Sequence, residues 1–110
     1  MLEILNFMNK LLLLITTAPN QLLAEQISKE LIERKLAACI SIKEIKSIYR
    51  WQENIEENKE FELTIKSLPE NLNKLTNIVK EKNTYEVPEL IYKIFDSEIS
   101  YFHWVKESIN

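Results

Sequence analysis

Glycine is absent from this chain of 110 residues, and its absence limits both the binding motifs and the turns that the chain can form. A glycine-rich phosphate-binding loop of the usual form is excluded, because such loops need residues without a side chain. Every left-handed backbone position must instead hold a residue with a Cβ atom, at some steric cost. We therefore expect Asn, Asp, Lys or Glu in the turns, with asparagine used most.

Cysteine and histidine occur once each, as Cys39 and His103. A single cysteine excludes an intramolecular disulfide, which is typical of a reducing compartment. The two residues fall short of the three or four ligands of a tight zinc site, so a transition-metal site would need carboxylates, water or a second subunit. From the sequence pattern alone, Cys39 is interpreted as a small buried hydrophobe and His103 as a solvated helix residue.

The motifs of common enzyme classes are missing as well. No CxxC, HExxH, GxSxG or DxDxG spacing occurs, so most catalytic chemistries have no support. The net charge is −3, and no stripe of Lys and Arg exists that would release counterions from a phosphate backbone. We predict that the chain is not an enzyme and does not bind nucleic acid.

Long hydrophobic runs are also missing. The longest apolar block, residues 11–15, is five residues long, whereas a helix needs about 20 to span a bilayer. The opening segment MLEILNFMNK carries Glu3 and lacks an early Lys or Arg, unlike a signal peptide. We therefore expect a cytoplasmic protein with no membrane partner.

Hydrophobic periodicity predicts a strand, helix, strand, strand, helix, strand and helix in that order. KLLLLITT reads as a central strand buried on both faces, and residues 20–35 as a helix. ACISIKEIKSIYRWQ and EFELTIKS form a long hairpin around a polar, turn-like ENIEENKE. In the first of these strands the alternation slips between Lys43 and Lys46, which favours a bulge or a short break in a long strand. LPENLNKLTNIVKEKN is a helix, ELIYKIF a short strand, and SEISYFHWVKESIN a final helix.

This element order predicts an α+β fold, a ferredoxin-like βαββαβ sandwich with an extra C-terminal helix and a long hairpin between the second and third strands. Hydrophobic residues make up 45% of the chain and charged residues 28%, as in an ordinary globular protein. We expect one domain over residues 11–110, preceded by an N-terminal extension over residues 1–10.

The stretch NTYEVPEL, residues 83–90, has two interpretations. Pro88 forces the residue before it into an extended conformation, as at the entry to an edge strand. The simpler interpretation is a loop with two solvated glutamates. The alternative is the lip of a pocket where aromatic, acidic and basic side chains converge.

Several short segments, in order, resemble the CutA divalent-cation tolerance family. They are LLLLITTAPN, LIERKLAACISI, SIYRWQENIEENKEFELTIKS, YEVPEL and YFHWVKESI, which together cover most of residues 11–109. The resemblance implies a homotrimer in which the long hairpins pair between subunits. It also implies a cleft at the subunit interface, in an assembly similar to the PII signalling proteins.

Carried over by position, the resemblance assigns Cys39 to a proposed copper ligand of the family. It assigns the cleft to eight residues: Trp51, Glu60, Lys66, Tyr85, Glu86, Pro88, Glu89 and Trp104. One departure matters, because Asn83 and Thr84 stand where family members usually place a histidine before the tyrosine. A metal site that depends on that imidazole is weakened here.

Three functions follow from these residues. The first is a trimeric protein that acts in the response to metal stress by binding copper or another divalent ion, since the Cys39 thiolate favours soft ions. The second is a PII-like adaptor whose cleft binds a small anionic or zwitterionic ligand, with Lys66 supplying the charge. The third, ranked last, is an enzyme that uses Lys66 and Glu86 as an acid/base pair. No cofactor is required by any of them.

Overall fold

Four antiparallel strands form one sheet in the order β2, β3, β1, β4. The structure, a computed structural model, describes residues 9–110; residues 1–8 of the expected N-terminal extension lie outside the described residues. The strands are β1 (Lys10–Ala18), β2 (Cys39–Trp51), β3 (Asn54–Ser67) and β4 (Ile91–Asp96), and the helices are α1 (Gln21–Glu33), α2 (Leu72–Lys82) and α3 (Ile99–Ile109). The predicted α+β class, with its final helix, is confirmed.

Helix α1 begins and ends with local hydrogen bonds that its sequence supplies. The side chain of Asn20 accepts a hydrogen bond from the backbone N–H of Leu23 at 2.8 Å, as an N-cap does. At the other end Lys35 lies in the left-handed region with φ 57°. Its N–H donates to the carbonyl of Ile32 and the N–H of Leu36 donates to that of Leu31, both at 3.0 Å. This pair of bonds is the Schellman motif, which usually places glycine where Lys35 stands.

The core lies between one face of the sheet and helices α1 and α2. Leu12 and Leu14 of β1 are fully buried, together with Leu63 of β3, Leu31 of α1 and Leu75 of α2. Each such side chain stabilises the fold by about 1.5–3 kcal/mol relative to exposure. A second, smaller cluster of Leu11, Leu68 and Val105 holds α3 against the sheet. The central position predicted for the first strand is confirmed.

The hairpin of β2 and β3 pairs without interruption from Cys39 opposite Lys66 to Trp51 opposite Asn54. The predicted bulge between Lys43 and Lys46 is therefore wrong. Strand β1 pairs with β3 only as far as Phe61, so the outer hairpin, residues 45–60, is a two-stranded ribbon that no third strand within residues 9–110 covers. Because the ribbon has no core on either face, its sequence is free of strict alternation, and the slip needs no bulge.

The turn of the hairpin is shorter than the sequence suggested. Strand β3 already begins at Asn54, so the segment ENIEENKE is mostly strand and its interpretation as a turn is wrong. A polar strand exposed on both faces has the composition of a loop. Only Gln52 and Glu53 form the turn, with φ of 49° and 69°, the left-handed pair that a type I′ hairpin requires.

Asparagine takes none of the left-handed positions within residues 9–110. These positions are held by Lys35, Gln52 and Glu53, so the expected dominance of asparagine is wrong there. All three residues are exposed to solvent. The steric cost of their left-handed conformation therefore comes from contact of the Cβ atom with the adjacent backbone. The local cost of about 1–2 kcal/mol per residue is the cost that glycine would have avoided.

Candidate functional site

A cleft lies between the outer hairpin and the segment 83–90 that leads into β4. Its volume is about 670 Å³, within the range of small-molecule sites. Ser47, Tyr49 and Trp51 share one face of β2, because side chains alternate along a strand. The full set of lining residues is Thr17, Ser47, Ile48, Tyr49, Trp51, Glu60, Thr84, Tyr85, Glu86, Val87 and Glu89.

Asn83 fixes the segment that forms the other wall. Its side chain is buried and donates from Nδ2 to the carbonyl of Thr17 at 2.8 Å. Its Oδ1 accepts the backbone N–H of Tyr85 at 3.1 Å, and its own N–H donates to the carbonyl of Val79 at 2.9 Å. These bonds connect the end of α2, the end of β1 and the cleft. The residue that departs from the family pattern thus has a structural role here.

Tyr85 and Glu60 join the two walls. The Tyr85 hydroxyl donates to Oε1 of Glu60 at 2.7 Å. Burial of the ring, the hydrogen bond to Glu60 and the negative charge of Glu60 all raise the pKa of Tyr85 well above its usual value. Tyr85 therefore stays a neutral hydroxyl throughout the physiological range and holds the segment 83–90 against the hairpin.

The cleft is electrically negative. Glu60, Glu86 and Glu89 line it, and no Lys, Arg or His is among the lining residues within the described part of the chain. Partial burial raises the pKa of Glu89, and the negative charges of Glu62 and Glu60 raise it further. Carboxylates that disfavour one another's ionisation in this way favour a cation between them.

Five of the eight residues expected in the cleft line it: Trp51, Glu60, Tyr85, Glu86 and Glu89. Pro88 is half-buried in the same segment but is not part of the lining. Lys66 and Trp104 lie elsewhere within the single chain. Lys66 is six residues from Glu60 along β3, a separation of about 20 Å. Trp104 is on α3, where its ring stacks on Tyr101 with centroids 5.7 Å apart.

The sequence-based interpretation missed Tyr49, Ser47 and Thr17. Tyr49 and Trp51 are two residues apart on one strand, so the period of two already placed them on the same face. Thr17 carried no such signal, because its role follows from the position of the segment 83–90 over the end of β1. That position is set by the tertiary hydrogen bond from Asn83.

Cys39 lies outside the cleft. It is half-buried at the start of β2, directly opposite Lys66 in the sheet. Among residues 9–110 no group of three or more His, Cys, Asp or Glu is placed to hold a metal ion. A thiol beside an ammonium group does not by itself fit a tight copper site. The expected acid/base pair is not assembled either, because Glu86 lines the cleft and Lys66 does not.

No helix within residues 9–110 is both long and apolar enough to cross a bilayer.

Comparisons with known proteins agree on one family. The family model for the CutA1 divalent ion tolerance protein matches residues 12–108. Protein CutA of Mus musculus is 37% identical over 93 residues, which are 83% of this chain and 52% of the mouse protein. The chain therefore spans about half the length of that relative. The divalent-cation tolerance protein CutA of Thermus thermophilus is 36% identical over 94 residues, 84% of this chain and 91% of its own length.

Solved structures give the same result. The structure described as the periplasmic divalent cation tolerance protein CutA from Archaeoglobus fulgidus superposes with a TM-score of 0.87 at 32% identity. The match covers 91% of this chain and 99% of that one. Sequence and fold thus agree over nearly all of the described residues, and this chain belongs to the CutA1 divalent ion tolerance family.

Proposed function

We propose that this protein acts in divalent-cation tolerance as a PII-like homotrimer whose cleft binds a small ligand. The observation that carries the proposal is the cleft itself, where three aromatic residues and three carboxylates converge between the outer hairpin and the segment 83–90. The match to the CutA1 family supports the link to divalent cations. A cytoplasmic location is part of the same proposal.

The exposed apolar strand at one edge of the sheet supports self-assembly. Strand β4 is exposed at all six positions, yet four of its residues are large and apolar: Ile91, Tyr92, Ile94 and Phe95. Both β4 and β2 are edge strands, and the unpaired backbone groups of such an edge can pair with a strand of another chain. Pairing of the β2 edge of one subunit with the β4 edge of the next is a heterologous contact that closes a ring.

Direct copper binding is a second candidate, favoured by the solvent access of the half-buried Cys39 thiol. Thiolates select Cu(I) over hard ions. Because the described residues offer no further soft donors beside Cys39, the remaining ligands would come from other subunits. Copper is then the cargo of the trimer and not a structural cofactor.

Native mass spectrometry under reducing conditions, with and without added copper, distinguishes the two candidates. We expect a species of three times the 13.1 kDa chain that keeps no stoichiometric copper. A trimer that binds copper stoichiometrically and loses it in Cys39→Ser would favour the second candidate. A stable monomer would contradict the trimer in both. Ser41→Ala is the matched control, because Ser41 is exposed on the same face of β2, two residues from Cys39. It shows whether any substitution at this end of the strand changes copper binding.

A further inference from the structure

The lining that one subunit supplies to the cleft favours one sign of charge in a ligand. A small anionic or zwitterionic ligand requires a basic group, and Lys66 was expected to supply it. Lys66 instead lies about 20 Å from Glu60 along β3. Among residues 9–110 of one chain, the charged residues of the lining are Glu60, Glu86 and Glu89. Lys43, the nearest basic residue by register on the face of the hairpin that carries Glu60, stands opposite Glu62 and is outside the lining.

The aromatic walls of the cleft are held in place before any ligand arrives. The Tyr85 hydroxyl is fixed on Glu60 at 2.7 Å. The Tyr49 hydroxyl accepts a hydrogen bond from Nδ2 of Asn58 at 2.7 Å. Trp51 completes this wall from the end of β2 and is 40% exposed. Rings oriented in advance lose little conformational entropy when they cover an apolar or cationic group.

Carboxylates and aromatic faces together select a particular chemistry. An ammonium group is attracted by the negative face of an aromatic ring and by carboxylate oxygens. Both kinds of group occur on each side of the cleft: Glu60 lies with Tyr49 and Trp51 on the hairpin, and Glu86 and Glu89 lie with Tyr85 on the segment 83–90. The cleft volume of about 670 Å³ is large enough for a small organic molecule. A bare metal ion fits less well, because residues 9–110 contain no group of three carboxylate, His or Cys ligands at metal-binding positions.

We propose that the cleft binds a small organic ammonium ion. Glu60 and Glu89 hold the cationic nitrogen, and the carbon skeleton packs on Trp51 with Tyr49 and Tyr85. This inference rests on the proposed function, since it names the class of ligand for the same cleft. It reverses the sign of the charge that the sequence had predicted for that ligand.

The test uses Trp51 as the reporter. The chain has two tryptophans, so Trp104→Phe on α3 leaves Trp51 as the only one, at the end of the cleft. This variant of the full chain is titrated with benzylammonium, benzyl alcohol and benzoate at constant ionic strength. The three probes share one ring and differ in charge. We expect a saturable change of Trp51 fluorescence with benzylammonium, at least tenfold tighter than with benzyl alcohol and absent with benzoate.

Charge variants in the same background test the carboxylates. Glu60→Gln with Glu89→Gln is expected to weaken benzylammonium binding at least tenfold and to leave benzyl alcohol unchanged. Glu70→Gln with Glu107→Gln removes the same charge from exposed positions outside the cleft and is expected to change neither. Equal weakening in the two double variants would overturn the direct role of Glu60 and Glu89.

Two outcomes separate this inference from the function on which it rests. Tighter binding of benzyl alcohol or benzoate than of benzylammonium would overturn the cationic ligand and keep the cleft as a binding site. No saturable response to any of the three probes would overturn both the inference and the proposed cleft function.

Discussion

At the scale of single residues, the cleft depends on two side chains that the sequence presents as ordinary loop residues. Asn83 connects α2, β1 and the segment 83–90 through three hydrogen bonds. Tyr85 then connects that segment to the hairpin through Glu60. A buried amide that satisfies both its donor and its acceptor stabilises a loop more than a mobile polar side chain does. The segment 83–90 is therefore held against the hairpin by hydrogen bonds, while its two glutamates, Glu86 and Glu89, remain exposed to solvent.

Tyr85→Phe tests that wall. The change removes the hydroxyl bond to Glu60 and is expected to lower the free energy of unfolding by about 1 kcal/mol, a value reduced for partial exposure. In an alkaline titration followed by tyrosinate absorbance, we expect a late step above the usual range of tyrosine, because burial and Glu60 raise the pKa of Tyr85. We expect Tyr85→Phe to abolish that late step.

Tyr92→Phe is the control for the titration. Tyr92 is exposed on β4 and outside the cleft lining, so its removal is expected to leave the late step intact. A late absorbance step that survives in Tyr85→Phe would show that the step does not come from ionisation of the Tyr85 hydroxyl.

At the scale of elements, the absence of glycine has a measurable effect at the end of α1. Lys35→Gly removes the left-handed strain at φ 57°, and the Schellman hydrogen bonds remain available. The gain exceeds the backbone entropy that glycine loses on folding, so we expect a net stabilisation of about 0.5–1 kcal/mol. Denaturant unfolding at equal protomer concentration measures it.

Lys29→Gly is the matched control within the same helix. Lys29 is exposed in the interior of α1, where glycine costs about 1 kcal/mol relative to alanine. The two variants remove the same charge from one helix and are expected to change stability in opposite directions. Destabilisation by both would contradict the assignment of strain to Lys35.

Elements with an apolar pattern could be predicted from the sequence, including the exposed β4, and the polar outer hairpin could not. The apolar run KLLLLITT and the helices with periodic apolar residues can be recognised in the sequence, because packing against the core requires apolar residues at regular positions. The outer hairpin, residues 45–60, has no such constraint, so its strands were mistaken for a bulge and a turn. For the cleft, alternation correctly put Glu60 and Lys66 on one face of β3. It gave no information on which end of that face the segment 83–90 reaches.

At the scale of the whole molecule, the long axis of 53 Å reflects the outer hairpin extending beyond the four-stranded sheet. The proposed trimer gives both this hairpin and β4 a partner. Ile94→Lys places a charge on the exposed face of β4, where Ile94 is 42% exposed. By sedimentation velocity, we expect this variant to be a monomer at concentrations where the parent chain is a trimer, because the charge would be buried unpaired in the interface.

Leu22→Lys is the matched control for that variant. Leu22 is 66% exposed on α1 and belongs to neither edge strand, so the same substitution is expected to leave the trimer intact. A trimer that survives Ile94→Lys would exclude β4 as the contact, and dissociation of both variants would indicate a general loss of structure.

The outer hairpin also has a consequence for how the cleft is maintained. An isolated two-stranded ribbon is at best marginally stable in water, yet it supplies Tyr49, Trp51 and Glu60 to the site. The core that surrounds Leu12 and Leu14 does not depend on this ribbon. On dilution the binding site would therefore be lost by local fraying before the domain unfolds, and the concentration of subunits would itself regulate the capacity to bind.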